Sequence, residues 1–271
     1  MQAVHNGRFI RHTTSDVAYL EPVALRAHLR LRCAFTLRYA GTSGRCALNL
    51  SFDRGRRAEV EANRQHVLQA MGLGGTVLHA VRQVHGNQVC VVDAEAVQRG
   101  LHGVQADALV TTLPATPLGV LVADCLPIVV YGFDPPVLAL IHAGRMGTYH
   151  RIISRVLNVI RDQVGAAPNQ LYAILGPAIG ACCYRLDARA VNPFQARFLD
   201  WRDFFTPCGA QHWVMDLTAA NQAQLIAGGI PTTHIEAANI CTACHQQQLY
   251  SHRAEGEEAG RGMGIAALLP V

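Results

Sequence analysis

The chain has no lysine: all 23 of its basic residues are arginine. That removes chemistry built on an ε-amino group, such as a Schiff base with a carbonyl substrate or the phosphate-gripping lysine of a P-loop. Charge is sparse, at 15% of 271 residues with a net +4, and aromatics make up only 6%. The arginines are scattered, apart from a small group at Arg54, Arg56 and Arg57. No basic stripe interleaved with aromatics is present, so nucleic acid is not an expected partner. Long apolar runs are missing as well. The longest, around residues 118–130, is broken by Asp124, Cys125 and Pro127 and falls short of the roughly 20 residues that span a bilayer. The first residues, MQAVHNGRFIRHTTSD, lack the apolar segment of a signal peptide. The expectation is a soluble, cytoplasmic protein with no membrane partner, monomeric or weakly homodimeric. No His-X-His pair occurs, whereas a trinuclear copper cluster needs several.

What is present is apolar: half of the residues are hydrophobic, enough for a sizeable core. No repeat, low-complexity tract or linker divides the chain, so residues 1–271 read as one domain. The nine cysteines are odd in number. In an unexported chain that favours thiols or metal ligands over a disulfide framework.

The most informative stretch runs from Leu118 to Gly147, LGVLVADCLPIVVYGFDPPVLALIHAGRMG. Its apolar runs, Leu118–Ala123, Ile128–Tyr131 and Val137–Ile141, read as strands buried on both faces. They stop at Asp124-Cys125 and at His142-Ala-Gly. Upstream, Val81–Gly86 reads as a further strand ending in His85-Gly86. Each of these polar residues, taken alone, is more often a satisfied core residue. Their shared context points to a three-ligand metal site of His85, Cys125 and His142, with a fourth position open. Asp124 stands beside it as a proton-moving or ligand-orienting carboxylate. The rival reading makes Cys125 a nucleophile activated by a histidine. Copper on two His, one Cys and Met146 is disfavoured, because cupredoxins carry Cys, His and Met on one tight loop.

The periodicities predict helices over Arg56–Leu73, over Thr148–Val164 and from an Asp216 N-cap to about Ala227. The second of these starts just after His142-Ala-Gly, where a helix N-terminus would favour an anionic group. Strands are expected at Val17–Leu20, Leu31–Leu37, Cys46–Phe52, Ala108–Thr112, Leu171–Leu175, His212–Met215, Ile235–Ile240 and Gly264–Leu269. Thr76–Val84 and Gln88–Asp93 are expected to pair around a His85-Gly86-Asn87 turn. Residues 1–30 read as a largely irregular arm. Phe194, Phe198, Trp201, Phe204 and Phe205 read as core packing rather than a stacking platform. Many strands with a few helices, not strictly alternating, indicate an α+β or mixed fold.

Cys241-Thr-Ala-Cys244-His245 matches C-x-x-C-H, the pattern of covalent haem attachment, which occurs in export compartments. A structural zinc there would need two further ligands. No second C-x-x-C exists, and the adjacent Cys182-Cys183 are expected to point apart. The preferred reading is a loop near the active site.

Taken together, QVHG (Gln83–Gly86), ADCLP (Ala123–Pro127), HAG (His142–Gly144), LGPAIGACCY (Leu175–Tyr184), and YSHR (Tyr250–Arg253) followed by Gly260-Arg261 resemble the YfiH family. This is the laccase-domain, polyphenol oxidase or peptidoglycan editing factor family. Thr36–Phe52 and Asn63-Arg64 add to the likeness. The resemblance implies two mixed sheets packed together and flanked by helices, an α/β/β/α sandwich. It implies catalytic zinc on His85, Cys125 and His142. Candidate catalytic residues are then Asp124 and Cys125, and candidate substrate ligands are Arg38, Asn49, Gln83, Arg145 and Arg253. The implied reaction is phosphorolysis of purine nucleosides (adenosine, inosine, methylthioadenosine) with adenosine deamination beside it, so the partners would be a purine nucleoside and phosphate. The alternative it carries is hydrolysis of an amide in the peptidoglycan precursor UDP-MurNAc-Ser; copper-dependent polyphenol oxidation is a weaker one. One departure stands out. The family reads HAG-Trp-Arg-Gly where this chain reads His142-Ala-Gly-Arg145-Met146-Gly147, so a phosphate-binding arginine would be lost or moved to Arg145.

Overall fold

The apolar runs of the central stretch become neighbouring strands because burial on both faces leaves them nowhere else to go. The computed structural model describes residues 7–24, 30–39 and 48–270. In chain order these form β1 (Phe9–Thr13), β2 (Ala18–Pro22), β3 (Leu31–Thr36), α1 (Arg57–Ala70), β4 (Val89–Val91), α2 (Ala94–Arg99), β5 (Ala108–Thr111), β6 (Leu118–Val122), β7 (Leu126–Phe133) and β8 (Pro136–Ala143). There follow α3 (Arg145–Tyr149), α4 (Ile152–Val159), β9 (Tyr172–Leu175), β10 (Arg185–Asp187), α5 (Ala188–Arg197), β11 (Phe205–Gly209), β12 (His212–Met215), α6 (Leu217–Ala227), β13 (Ile235–Ala237), α7 (His252–Glu255) and β14 (Gly262–Leu268). None of the helices is long and apolar enough to cross a membrane among the described residues.

Two large sheets stack. One has five strands in the order β1-β2-β3-β14-β6, and the other six in the order β13-β9-β7-β8-β5-β4. Alternation along β7 shows how the layers form. Leu126, Ile128 and Val130 pack with Ile152 and Val156 of α4, Phe194 of α5 and Leu225 of α6. Val129 and Tyr131 face the other way, into the space between the sheets with Leu20, Phe35 and Ala266. On β14, Ile265 and Ala267 turn outward against Val67 and Leu68 of α1. The order is helix, sheet, sheet, helices, the anticipated α+β sandwich. Each fully buried aliphatic side chain in it contributes about 1.5–3 kcal/mol relative to exposure. The expected aromatic core is borne out, with Phe194, Phe198, Phe204 and Phe205 all buried.

Several expectations need correction. The six-stranded sheet is mixed, with β4–β5 and β9–β13 parallel, but the five-stranded sheet is antiparallel throughout. A third, antiparallel sheet, β10-β12-β11, was not foreseen. Residues 76–84 make only isolated bridges, His79 to Leu118 and Arg82 to Gln105. They form no strand of their own, and Val77 and Val84 lie exposed. Residues 89–91 instead pair with β5. Leu48 to Leu50 is not a strand, and Phe52–Arg54 is a single 3-10 turn. Gly41-Thr42-Ser43-Gly44, which reads in sequence as a turn between the Leu31–Leu37 and Cys46–Phe52 runs, and Cys46 lie outside the described residues. β1 runs where an irregular arm was expected. The strand expected to reach Ile240 stops at Ala237.

The helix expected over Thr148–Val164 starts at Arg145 and breaks at Arg151, whose φ is 56°. The carbonyls freed by the break find side-chain donors: Asn87 Nδ2 donates to His150 O at 2.9 Å, and Gln224 Nε2 to Thr148 O at 2.9 Å. α3 is thus a single short turn pinned between the His85 loop and α6. Its five residues do not supply the long helix dipole that the sequence suggested beside His142.

Candidate active site

The ends of β6, β7 and β8 meet one loop. Cys125 lies between β6 and β7, His142 is the penultimate residue of β8, and His85 stands in the irregular segment before β4 with φ 58°. Their ligating atoms all fall within 4.8 Å of one another. The two imidazole rings are 4.8 Å apart at their centroids and nearly perpendicular, at 81°. Three residues distant in sequence thus converge on a single point, although the strand expected to carry His85 is absent.

Asp107, which sequence reasoning missed, explains how that loop is held. It is fully buried just before β5. Its Oδ2 accepts the backbone N–H groups of Gly86 at 2.7 Å and Val84 at 3.2 Å, while Oδ1 accepts that of His85 at 2.9 Å. Oδ1 also accepts Nδ1–H of His142 at 2.8 Å. One carboxylate therefore shapes the His85 loop and fixes the His142 tautomer, leaving Nε2 to face the cluster. Burial opposes its ionisation, but the His142 and backbone N–H hydrogen bonds prevail and leave its pKa below the ordinary carboxylate value. The signal available in sequence was a charged residue, Ala106-Asp107-Ala108, at the door of a buried strand.

The donor set fits a metal ion. A tetrahedral zinc with bonds of about 2.0–2.3 Å holds its ligand atoms roughly 3.3–3.8 Å apart, so the donors need only a small contraction. Gly144 leaves the space: a Cβ there would lie 2.8 Å from Cys125 Sγ and 3.2 Å from His85 Cδ2. With no ion bound, the same groups form an ion pair. Burial would push the Cys125 thiol up, but the charge of His142 and hydrogen bonds from both histidines bring it down to about 6. Burial would lower His142, yet the Cys125 thiolate and Asp107 raise it to about 9. The arrangement therefore favours the thiolate, the form that binds metal.

The other expected site residues fall into two groups. Asn49, Gln83 and Asp124 are engaged with the protein. Gln83 uses both ends of its amide on Leu121, donating to O at 2.8 Å and accepting from N at 2.7 Å. Asn49 Oδ1 accepts Arg261 N–H at 3.0 Å, and Asn49 Nδ2 donates to Ser51 O at 3.0 Å. Asp124, at φ 90°, accepts Thr242 Oγ1–H on one oxygen and Arg253 N–H on the other, each at 2.6 Å. These residues tie the C-terminal segment and the 83–86 loop to the strand ends. Arg38 also sits in this group: it pairs with Glu255, lies over the Tyr250 ring, and so has its charge compensated.

Arg145 and Arg253 differ, because neither has a carboxylate partner among the described residues. Arg253 is oriented by the carbonyls of Cys183 at 3.2 Å and Arg185 at 3.0 Å, and its guanidinium stands 5.3 Å over the Tyr184 ring. Arg145 also reaches Tyr184, whose phenol feels the Cys125 charge as well. Burial, the largest influence, holds that phenol above its ordinary pKa. Tyr184 is thus a second residue of the site wall that the sequence did not single out. The arginine cluster noted at Arg54, Arg56 and Arg57 is neutralised by Glu257, Glu59 and Glu61.

Residues 32–269 match the family model described as multi-copper polyphenol oxidoreductase laccase. A purine nucleoside phosphorylase of Xylella fastidiosa (strain 9a5c) is 32% identical over 209 residues, 76% of this chain and 78% of that protein. Purine nucleoside phosphorylase YlmD of Geobacillus stearothermophilus is 30% identical over 220 residues, 76% and 77% of the two chains. Adenosine deaminase RL5, from an unknown prokaryotic organism, is 33% identical over 190 residues, 66% and 71%. The crystal structure of YlmD from Geobacillus stearothermophilus superposes with a TM-score of 0.86 at 25% identity, covering 97% of this chain and all of that one (100%). YfiH of Bacillus licheniformis matches the fold with a TM-score of 0.84 at 23% identity, covering 95% and 98%. The architecture, the site at the strand ends and these likenesses agree, and the chain belongs to the laccase-domain family of YfiH and YlmD.

Proposed function

We propose that the protein is a zinc-dependent purine nucleoside phosphorylase acting on adenosine, inosine and methylthioadenosine, with adenosine deamination as a side activity. The observation that carries this reading is the convergence of His85, Cys125 and His142 within 4.8 Å. Arg145 and Arg253, neither with a carboxylate partner among the described residues, meet at Tyr184 and support it. His85, Cys125 and His142 would hold the zinc, a thiolate and two imidazoles with a fourth position open. When bound, that ion supplies Lewis acidity and lowers the pKa of a water in its open position.

The chain's own residues supply the rest. Arg145 and Arg253 bind phosphate by charge-assisted hydrogen bonds, and the carbonyls of Cys183 and Arg185 orient Arg253 without neutralising it. The family's arginine is Met146 here, and Arg145 takes over its task from one position earlier. Asp107 keeps the proton on His142 Nδ1 and fixes the loop that presents His85. Asp124 is a positioning residue: it holds Thr242 and the start of α7, and so aims Arg253. The relatives named for purine nucleoside phosphorolysis and adenosine deamination support the same pair of reactions.

The test is chromatography of the products after zinc-loaded protein meets adenosine with and without phosphate. Adenine and ribose 1-phosphate, formed only with phosphate, are expected. Inosine alone would mean that the arginines do not bind phosphate. Untouched adenosine would overturn the nucleoside reading and direct attention to the muramyl-serine amide.

A further inference from the structure

Cys182, Cys183, Cys241 and Cys244 bring their sulfurs within 4.8 Å of one another, well apart from the His85 cluster in the chain. Adjacent cysteines are expected otherwise, since neighbouring side chains of extended backbone point apart. The backbone here is not extended. Residues 181–183 turn, with the N–H groups of both Cys183 and Tyr184 bonded to Gly180 O at 3.0 Å. The turn curls both cysteines toward the same partner: Cys182 Sγ and Cys183 Sγ each lie 3.5 Å from Cys244 Sγ.

Three further observations point to a ligand rather than to chance crowding. The separations of 3.5 Å are far from the roughly 2.05 Å of a disulfide. They match the spacing of about 3.8 Å between sulfurs at the corners of a tetrahedron with zinc–sulfur bonds of about 2.3 Å. Gly180 N–H donates to Cys241 Sγ at 3.2 Å, which stabilises a thiolate there. Gly180 also permits the approach, since a Cβ would stand 3.2 Å from Cys241 Cβ and 3.3 Å from Cys182 Sγ. Finally, Cys241-x-x-Cys244 lies on a tight turn, with His245 N–H returning to Cys241 O at 3.2 Å. His245 Nδ1–H donates to the same carbonyl at 2.9 Å, which closes the turn a second time.

We infer that Cys182, Cys183, Cys241 and Cys244 form a second metal site, a tetrathiolate that holds a structural zinc ion. Binding deprotonates the thiols that remain protonated and releases those protons; no electron is transferred. The two segments it joins, the loop after β9 and the segment after β13, meet otherwise through short backbone contacts, Ala178 with Ile240 and Thr242. They also carry Tyr184, Thr242 and the carbonyls that orient Arg253. A zinc staple here fixes the phosphate side of the candidate active site without touching substrate.

The experiment is metal counting by mass spectrometry of the elements on protein purified under reducing conditions, with a thiol-reagent assay beside it. Wild type is expected to hold two zinc ions per chain. Cys125→Ser is expected to keep one, and Cys244→Ser is expected to keep the other. The cluster thiols should stay silent to the reagent until a chelator or denaturant is added, while the exposed Cys208 reacts at once. Should Cys244→Ser fail to fold, the Cys125→Ser count and the thiol assay on wild type still decide. Zinc absent from Cys125→Ser, or a native mass two hydrogens short from a disulfide within the cluster, would overturn the inference. Loss of zinc in Cys125→Ser from two to one, with no turnover on adenosine in wild type, would leave this site standing and sink only the proposed reaction.

Discussion

Asp107 and His142 are joined at 2.8 Å, and the same carboxylate holds the backbone of the loop that presents His85. Both imidazoles of the candidate metal site therefore depend on one buried acid that binds no metal itself. Replacing Asp107 with Asn puts an amide N–H against either His142 Nδ1–H or the loop N–H groups. Zinc affinity is expected to fall roughly 10- to 100-fold, read by competition with a chelator. Unchanged affinity would show that the carboxylate does not position the ligands.

Gly144 is required for room, not for its backbone, whose φ is an ordinary −83°. Gly144→Ala would thrust a methyl group to 2.8 Å from Cys125 Sγ. The expected cost is about 1–3 kcal/mol of overpacking, with loss of the zinc attributed to the His85 cluster. Calorimetry and metal content measured on one sample would check both effects.

Arg145 and Arg38 provide a contrast. Arg145→Gln is expected to raise the KM for phosphate roughly 10- to 100-fold, the range for a lost hydrogen bond from a charged group, with little change in the KM for adenosine. Arg38→Gln strips the partner from Glu255 and is expected to lower thermal stability more than phosphate affinity. Steady-state kinetics with each substrate varied in turn would separate the two outcomes.

In zinc-free protein the Cys125 thiol titrates near 6. Since the thiolate is the reacting form, its alkylation rate should rise from pH 5 to 7 and then level. An ordinary thiol, with a pKa of about 8.5, climbs until roughly pH 9.5. Adding zinc should abolish the reaction at Cys125. Peptide mapping after timed iodoacetamide pulses would show both. A rate still climbing above pH 8 would contradict the thiolate–imidazolium pair.

The strands that carry the site were legible because β7 and β8 are apolar on both faces, and a run of that kind announces itself without any partner being known. His85 was found for the wrong structural reason. Val81–Gly86 reads as a strand, but the loop takes its shape from Asp107, a residue 21–23 positions away in sequence whose hydrogen bonds no periodicity reveals. Gln83, Asn49 and Asp124 were picked out as site residues, and the structure adds what each ties down: Gln83 holds Leu121, Asn49 holds Ser51 and Arg261, and Asp124 holds Thr242 and Arg253; no periodicity in the sequence names those partners. The break at Arg151 was invisible for a similar reason. The apolar stripe runs through it, while the acceptors it frees are met by Asn87 and Gln224 from elsewhere in the chain. The four-cysteine cluster was dismissed on the geometry of extended chain, and a single turn at Gly180 reversed that geometry.

In the proposed function His85, Cys125 and His142 hold the zinc that catalysis uses. The most direct test measures zinc content and adenosine phosphorolysis together on Cys125→Ser, with wild type beside it. The variant is expected to lose one zinc ion per chain and all phosphorolysis while keeping its fold by circular dichroism. Unchanged zinc content, or turnover that survives the loss of that ion, would contradict it.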